Sequence, residues 1–175
     1  MTVSLSRTIV VMGVSGCGKS TVAAELVSRT GWAFAEGDDF HPAANVAKMH
    51  AGTPLTDDDR WPWLLAVAAW IGEREAAGDN AVVTCSALKR SYRDLLRDGH
   101  PSVWFAHISV PVQVIGQRLE HRTGHYMPPS LLGSQLATLE PLQPDEPGVV
   151  VEASSSPGDV ADAILVARPH APDHR

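Results

Sequence analysis

Cysteine is scarce in this chain: Cys17 and Cys85 are the only two in 175 residues. They are too few and too widely spaced for a disulfide framework or a zinc site. Both are expected to stay reduced, which points to the cytoplasm. Long apolar runs are also missing, so no membrane span is expected. The first residues lack a charged stretch followed by a long apolar one, so no signal peptide is expected. Basic residues are in the minority, with 14 Lys and Arg against 20 Asp and Glu and a formal net charge of −6. That balance argues against a surface for nucleic acid. No repeat, linker or second compositional block divides the chain.

Hydrophobic residues make up 44% of the chain and charged residues 19%. These are the proportions of a globular protein, so one domain over 1–175 with one core is expected. Apolar runs alternate with helical patterns. Thr8–Met12, Trp32–Glu36, Ala81–Thr84, Val103–Ser109 and Val149–Val151 read as strands. Helical spacing runs over Ser20–Arg29, Pro42–His50, Lys89–Arg97, Val112–His121, Leu131–Leu139 and Asp159–Val166. A longer helix runs to about Gly78, with Asp57, Asp58 and Asp59 offering its N-cap. The alternation predicts an α/β fold: a mostly parallel five-stranded sheet covered on both faces, over about 7–167. The segment 169–175, rich in Pro and His, is expected to be disordered. Ligands are expected beyond the carboxyl ends of the strands.

Between the first strand and the first helix lies Gly13-Val14-Ser15-Gly16-Cys17-Gly18-Lys19-Ser20. It fits G-x-x-x-x-G-K-[ST] at every fixed position, in the strand–loop–helix context that the pattern requires. Glycines let successive N–H groups turn inward toward phosphate oxygens, and the helix N-terminus adds positive potential. This predicts a P-loop NTPase-type three-layer α/β/α fold that binds a nucleoside triphosphate. Gly13, Ser15, Gly16, Cys17, Gly18, Lys19, Ser20 and Thr21 are the expected contacts. Lys19 would reach the β- and γ-phosphates, and Ser20 would help hold Mg²⁺. Cys17, near a helix N-terminus and Lys19, sits where thiolate is favoured, so thiol reagents are expected to inhibit.

The second strand ends in Glu36-Gly37-Asp38-Asp39-Phe40-His41. Carboxylates beside a triphosphate are costly unless they hold a metal or take a proton from a nucleophile. Asp38 is the candidate for the reacting group, and Asp39 reads as an acidic turn. No Asp follows the third strand, so the metal falls to Ser20, phosphates, water and Glu36. Cys85 there reads as a small buried residue. Arg118 and Arg122 lie four apart on one helix face. The Gly- and Pro-rich stretch after them reads as part of a helical lid over about 118–138, which would bring arginine onto the phosphates. A surface ion pair is the plainer account of that pair. His121 and His125 lack a third metal ligand. Lys89, Arg90, Arg93 and Arg97 cluster as either a small-anion site or a solvated helix face.

Taken together, the motifs resemble the gluconokinase family of small P-loop kinases, relatives of shikimate kinase. The resemblance rests on Met12–Thr21, G-D-D-F-H-P at Gly37–Pro42 and N-V-A-K-M at Asn45–Met49. It continues through G-T-P-L-T-D-D-D-R-W-P-W-L at Gly52–Leu64 and C-S-A-L-K-R-S-Y-R-D-L-L-R at Cys85–Arg97. R-x-x-x-R-x-G-H-Y-M-P at Arg118–Pro128 and S-Q-L-A-T-L-E at Ser134–Glu140 complete it. It implies ATP-dependent phosphorylation of D-gluconate at the 6-hydroxyl, with Asp38 at the reacting hydroxyl. It places Arg60, Lys89 and Arg93 toward the sugar acid, His41 and Lys48 as secondary contacts, and Arg118 and Arg122 in the cover. It also implies a homodimer, with Trp61, Trp63 and Trp70 as either interface or core. Ser154–Pro157 would contact adenine. The alternatives are a kinase for another small acid such as shikimate or for a nucleotide, and a nucleotide-dependent switch. The D-D-D-R-W-P-W segment speaks against the first, and the concentrated acceptor residues speak against the second.

Overall fold

The computed structural model describes residues 6–120, 129–153 and 155–168. Its elements in chain order are β1 (Thr8–Met12), α1 (Lys19–Thr30), β2 (Ala33–Glu36), a 3-10 turn (Gly37–Phe40), α2 (Ala43–His50), α3 (Asp57–Ala76) and β3 (Ala81–Thr84). Then come α4 (Arg90–Arg97), β4 (Val103–Ser109), α5 (Val112–Glu120), α6 (Pro129–Thr138), β5 (Gly148–Glu152) and α7 (Pro157–Ala167). The five strands form one parallel sheet in the order β2-β3-β1-β4-β5. Val10 at its centre pairs with Val83 on one side and Phe105 on the other.

The central strands are legible as continuous apolar runs because both faces are covered. Every residue of β1 and β3 is buried. Helix α1 packs on α7 and α3 packs on α4, giving the expected three layers. The edge strand β5 instead alternates, with Val150 left exposed. The order reverses between β1 and β4, so a crevice opens past their carboxyl ends.

Two local features aim the site. Helix α3 is capped by Thr56 and not by the acidic trio. Thr56 Oγ1 accepts from Asp59 N at 3.2 Å while Asp59 Oδ2 accepts from Thr56 N at 2.9 Å. This reciprocal pair is a capping box, and the three acids then occupy the first turn, where the helix dipole favours them. The second feature is Gly37, where a Cβ would lie 1.8 Å from the Thr84 carbonyl oxygen. Only glycine allows the turn after β2 to press this close to the end of β3. Trp63 Nε1 donates to Gly37 O at 2.8 Å and pins the same turn from α3.

Candidate active site

The phosphate loop occupies residues 13–18, between the buried β1 and the start of α1. Gly13 has φ +147°, and a Cβ there would meet Cys17 Sγ at 2.7 Å and Ile108 O at 2.9 Å. Glycine is therefore required for the loop to close over its own thiol. Lys19 Nζ donates to Gly13 O at 2.9 Å and Val14 O at 3.1 Å, which lays the ammonium across the loop. Ser20 Oγ donates to Glu36 Oε1 at 2.8 Å, and Thr84 Oγ1 donates to the same oxygen at 2.6 Å. Sheet register makes this possible, since Glu36 pairs with Thr84 across β2 and β3. The result is a fixed hydroxyl–carboxylate pair beside the loop. Mg²⁺ favours hard oxygens, keeps several waters, and takes one or two protein ligands along with phosphates. Ser20 and Glu36 fit that demand. No larger metal-binding cluster of His, Cys, Asp and Glu occurs among the described residues.

Asp38 extends from the 3-10 turn, its side chain 71% exposed. It lines a cavity together with Lys19, His41, Arg60, Trp63 and Gln135. His41 stacks on Trp63 with ring centroids 4.2 Å apart. Burial pulls the His41 imidazole down from 6.5 to about 4, Asp38 partly offsets this, and Arg60 adds to it. The ring is therefore neutral near pH 7. Asn45 Nδ2 donates to Asp59 O at 2.8 Å, which fixes the amide's orientation, and lies 3.2 Å from His41 Nδ1. Nδ1 must then accept, so the proton sits on Nε2, the nitrogen 4.0 Å from Asp38 Oδ1. His41 presents a neutral N–H donor beside the Asp38 carboxylate.

Arg60 NH1 donates to the Tyr92 hydroxyl at 2.8 Å and its guanidinium lies 5.4 Å from the Tyr92 ring centroid. Tyr92 itself hydrogen-bonds Asp57, so the phenol is held from behind. Arg60 thus reaches the cavity on a buried, oriented support.

The other cations expected at the sugar acid are arranged differently. Arg93 is fully buried. Its Nε and NH2 donate to Glu146 at 2.7 and 3.1 Å, NH1 to Ala87 O at 2.9 Å and Leu88 O at 3.3 Å, and NH2 also to Pro141 O at 3.3 Å. A guanidinium so engaged has nothing to offer a ligand, which corrects the expectation that Arg93 faces the acceptor. Lys48 pairs with Asp59 at 2.7 Å and Lys89 with Asp57 at 3.0 Å, and neither lines the cavity. They brace the start of α3. Cys17 is buried beneath the loop, so the expected reactivity toward thiol reagents lacks access. Cys85 is buried as expected, and burial pushes its thiol up to about 12. Trp63 is buried, which settles its role as core. Arg118 lies on α5, but only its backbone is described, and Arg122, His121, His125 and Tyr126 lie outside the described residues.

On the other side of the loop an open cleft of about 620 Å³ is lined by Gly16, Gly18, Thr21, Gln117, Ser155 and Pro157. The segment expected at adenine contributes Ser155 and Pro157, while Ser154 lies outside the described residues. Sequence reasoning missed Thr84, Asn45, Tyr92 and Gln135. The first is visible only through strand register, the next two only through helix packing. Gln135 Oε1 accepts from Ser15 N at 2.7 Å; it lies in the S-Q-L-A-T-L-E segment, which gave it no role.

The family model described as AAA domain matches residues 9–142. A gluconokinase of Gluconobacter oxydans (strain 621H) is 52% identical over 91% of this chain and 89% of its own. The thermoresistant gluconokinase of Escherichia coli (strain K12) is 42% identical over 90% and 91%. Among solved structures, a gluconokinase from Sinorhizobium meliloti 1021 superposes with a TM-score of 0.80 at 46% identity, covering 93% of this chain and 91% of that one. A shikimate kinase from Aquifex aeolicus vf5 has a TM-score of 0.57 at 14% identity over 91% and 94%, which is a likeness of fold.

Proposed function

We infer the activity of this chain from its family: it belongs to the gluconokinases, and it transfers the γ-phosphoryl group of ATP to the 6-hydroxyl of D-gluconate. The observation that carries this reading is the cavity that holds Asp38, neutral His41 and Arg60 beside Lys19 of the phosphate loop. A sugar acid has hydroxyls at one end and a carboxylate at the other. Asp38 orients the reacting hydroxyl and takes its proton, and His41 Nε2–H donates to a neighbouring oxygen. Arg60 holds the substrate carboxylate. Lys19 leaves the loop carbonyls for phosphate oxygens and offsets charge that builds during transfer. Ser20 and Glu36 would hold Mg²⁺, which when bound neutralises the phosphates. The cover arginines Arg118 and Arg122 are proposed to close on those phosphates. Family membership also supports a homodimer in the cytoplasm. Among the described residues no helix is long and apolar enough to cross a membrane.

The test is a panel of gluconate, shikimate, glucose and nucleoside monophosphates with Mg-ATP, followed by ADP release. Only gluconate should turn over rapidly. Glucose offers the same hydroxyl but leaves Arg60 without its anion, and a site built for a polar group rejects the analogue that lacks it. Arg60→Ala should cut kcat/KM for gluconate by about 10- to 150-fold, the worth of a charged hydrogen bond. It should not lower the residual rate on glucose, because the unmatched cation that penalises glucose is gone. Equal turnover of shikimate or a nucleotide by the native chain would refute the reading.

A further inference from the structure

Ser15 lines the acceptor cavity and also a cleft walled by Gly18, Lys19, Ser20, Glu36 and Asp38, where the phosphate loop opens. Its N–H therefore lies where the transferred group passes from one substrate to the other. In a phosphate loop such N–H groups serve phosphate oxygens. Here the donor is engaged by Gln135 Oε1 at 2.7 Å, from a residue 120 positions along the chain. A backbone amide has one hydrogen to give, so Gln135 and a phosphate oxygen compete for it.

Gln135 stands on α6, which is anchored. Leu131 and Leu132 are buried in the core, and just past the helix Glu140 N donates to Leu88 O at 2.7 Å. Leu131, Ser134 and Gln135 all face the acceptor cavity, so a displaced Gln135 amide stays among the acceptor's contacts. A carboxamide carries both an acceptor oxygen and two donor hydrogens, which suits the hydroxyls of a polyol.

We propose that Gln135 is a positioning residue shared by the two substrates: its amide holds the Ser15 N–H until a phosphate oxygen takes that donor, and then turns to the hydroxyls of the acceptor. The proposal rests on the kinase reading above. It requires coupling between the sites. Nucleotide must break one hydrogen bond to bind, and the acceptor gains a partner once it has. By linkage, each ligand then tightens the other by the same factor.

Calorimetric titration of the native chain, Gln135→Ala and Gln135→Glu tests it, with AMP-PNP alone, gluconate alone, and gluconate at saturating AMP-PNP. The native chain should bind gluconate about two- to tenfold more tightly with AMP-PNP present, the worth of one net hydrogen bond. Gln135→Ala should bind AMP-PNP at least as tightly as the native chain and lose the coupling, with its loss of turnover appearing in KM for gluconate. Gln135→Glu should weaken AMP-PNP binding, because a carboxylate grips the N–H harder and repels phosphate. Weaker AMP-PNP binding by Gln135→Ala would make Gln135 a support for nucleotide and overturn the proposal. So would coupling that persists in Gln135→Ala, or AMP-PNP affinity unchanged in Gln135→Glu. The AMP-PNP arm needs no acceptor, so it judges the competition at Ser15 separately. Failure of the native chain to phosphorylate gluconate would refute the functional reading instead.

Discussion

Replacing Arg93 by Met separates scaffold from site. The position lies in a motif that the family resemblance turns toward the substrate, yet the guanidinium is sealed in the protein. Met keeps much of the volume and removes five hydrogen-bonding contacts, two of them to Glu146. Glu146 has a side chain with no exposure and would be left as a buried carboxylate without its guanidinium clamp, held by the Gln143 N–H at 2.8 Å with Arg90 at 4.0 Å. The carbonyls of Ala87, Leu88 and Pro141 would lose a donor as well. Breaking a buried pair from one side costs about 3–5 kcal/mol. For a chain of this length each kcal/mol moves the melting temperature by about 2–4 °C, so the expected drop is roughly 6–20 °C. Activity should fall as well, measured well below the melt. Arg93 holds Ala87, which sits at φ +46° in the loop that supplies Ser86 and Leu88 to the acceptor cavity.

The pH dependence gives a second readout. Burial pushes the Glu146 carboxyl up, but the hydrogen bonds from Arg93 and Gln143 bring it to a net position below its ordinary 4.5. A lowered carboxyl pKa adds stability above 4.5, and that stability is lost as pH falls through the folded value. In Arg93→Met the Gln143 hydrogen bond and the Arg90 charge remain, but the Arg93 contribution is gone and the pKa moves up. The melting gap from the native chain should therefore be widest near neutrality and narrow toward pH 4. The double variant Arg93→Met, Glu146→Leu should recover much of the loss, because a well-packed apolar pair removes the stranded charge. If Arg93→Met melts within about 2 °C of the native chain but raises KM for gluconate, Arg93 is a substrate ligand and the burial argument fails.

Two further outcomes follow from the site. Burial holds His41 and His107 at about 4 against an ordinary 6.5, with Arg60 adding to it for the first and Arg93 and Lys19 for the second. Below 6.5 the unfolded chain binds protons that the folded chain refuses, so melting temperature should fall from pH 6.5 toward 4 and His107→Leu should flatten the slope; an equal slope in that variant would remove His107 from the effect. Glu36→Gln should raise the Mg²⁺ concentration for half-maximal activity by about tenfold or more while leaving metal-free nucleotide binding intact, and an unchanged Mg²⁺ titration would take Glu36 out of the metal site.

The sheet was largely legible because its central strands are covered on both faces and so read as unbroken apolar runs. The phosphate loop was legible because its geometry demands fixed residue types at fixed spacing. Two kinds of information were not. Register decides that Thr84 meets Glu36, and no local pattern carries register between strands whose residues lie 48 apart. The capping of α3 was misplaced for a related reason: Thr56 and Asp59 share the task, and three consecutive acids outweigh a single threonine in any reading by residue type. Arg93 is the plainest case. A run of basic residues in sequence does not reveal that one of them turns inward to a glutamate 53 residues away.

That last point yields a rule for the remaining cations. A positive side chain can serve a ligand only where the fold has not already supplied its counter-charge. Arg93 has Glu146, Lys48 has Asp59 and Lys89 has Asp57. Arg60 differs, since its hydrogen-bond partner is the neutral phenol of Tyr92; the Asp57 charge acts on it with that phenol bonded to both, and the nearby His41 is neutral. The cavity therefore combines a guanidinium whose partner is uncharged with the largely exposed carboxylate of Asp38. An acceptor that satisfies both must be a monoanion with its charge at one end and a hydroxyl at the other, and it can enter in one orientation only. Reversed, its carboxylate would face Asp38 and its hydroxyl end would leave Arg60 unmatched. On the proposed reading, the same two side chains would select the acid over the neutral sugar and direct the phosphoryl group to the far end of the molecule.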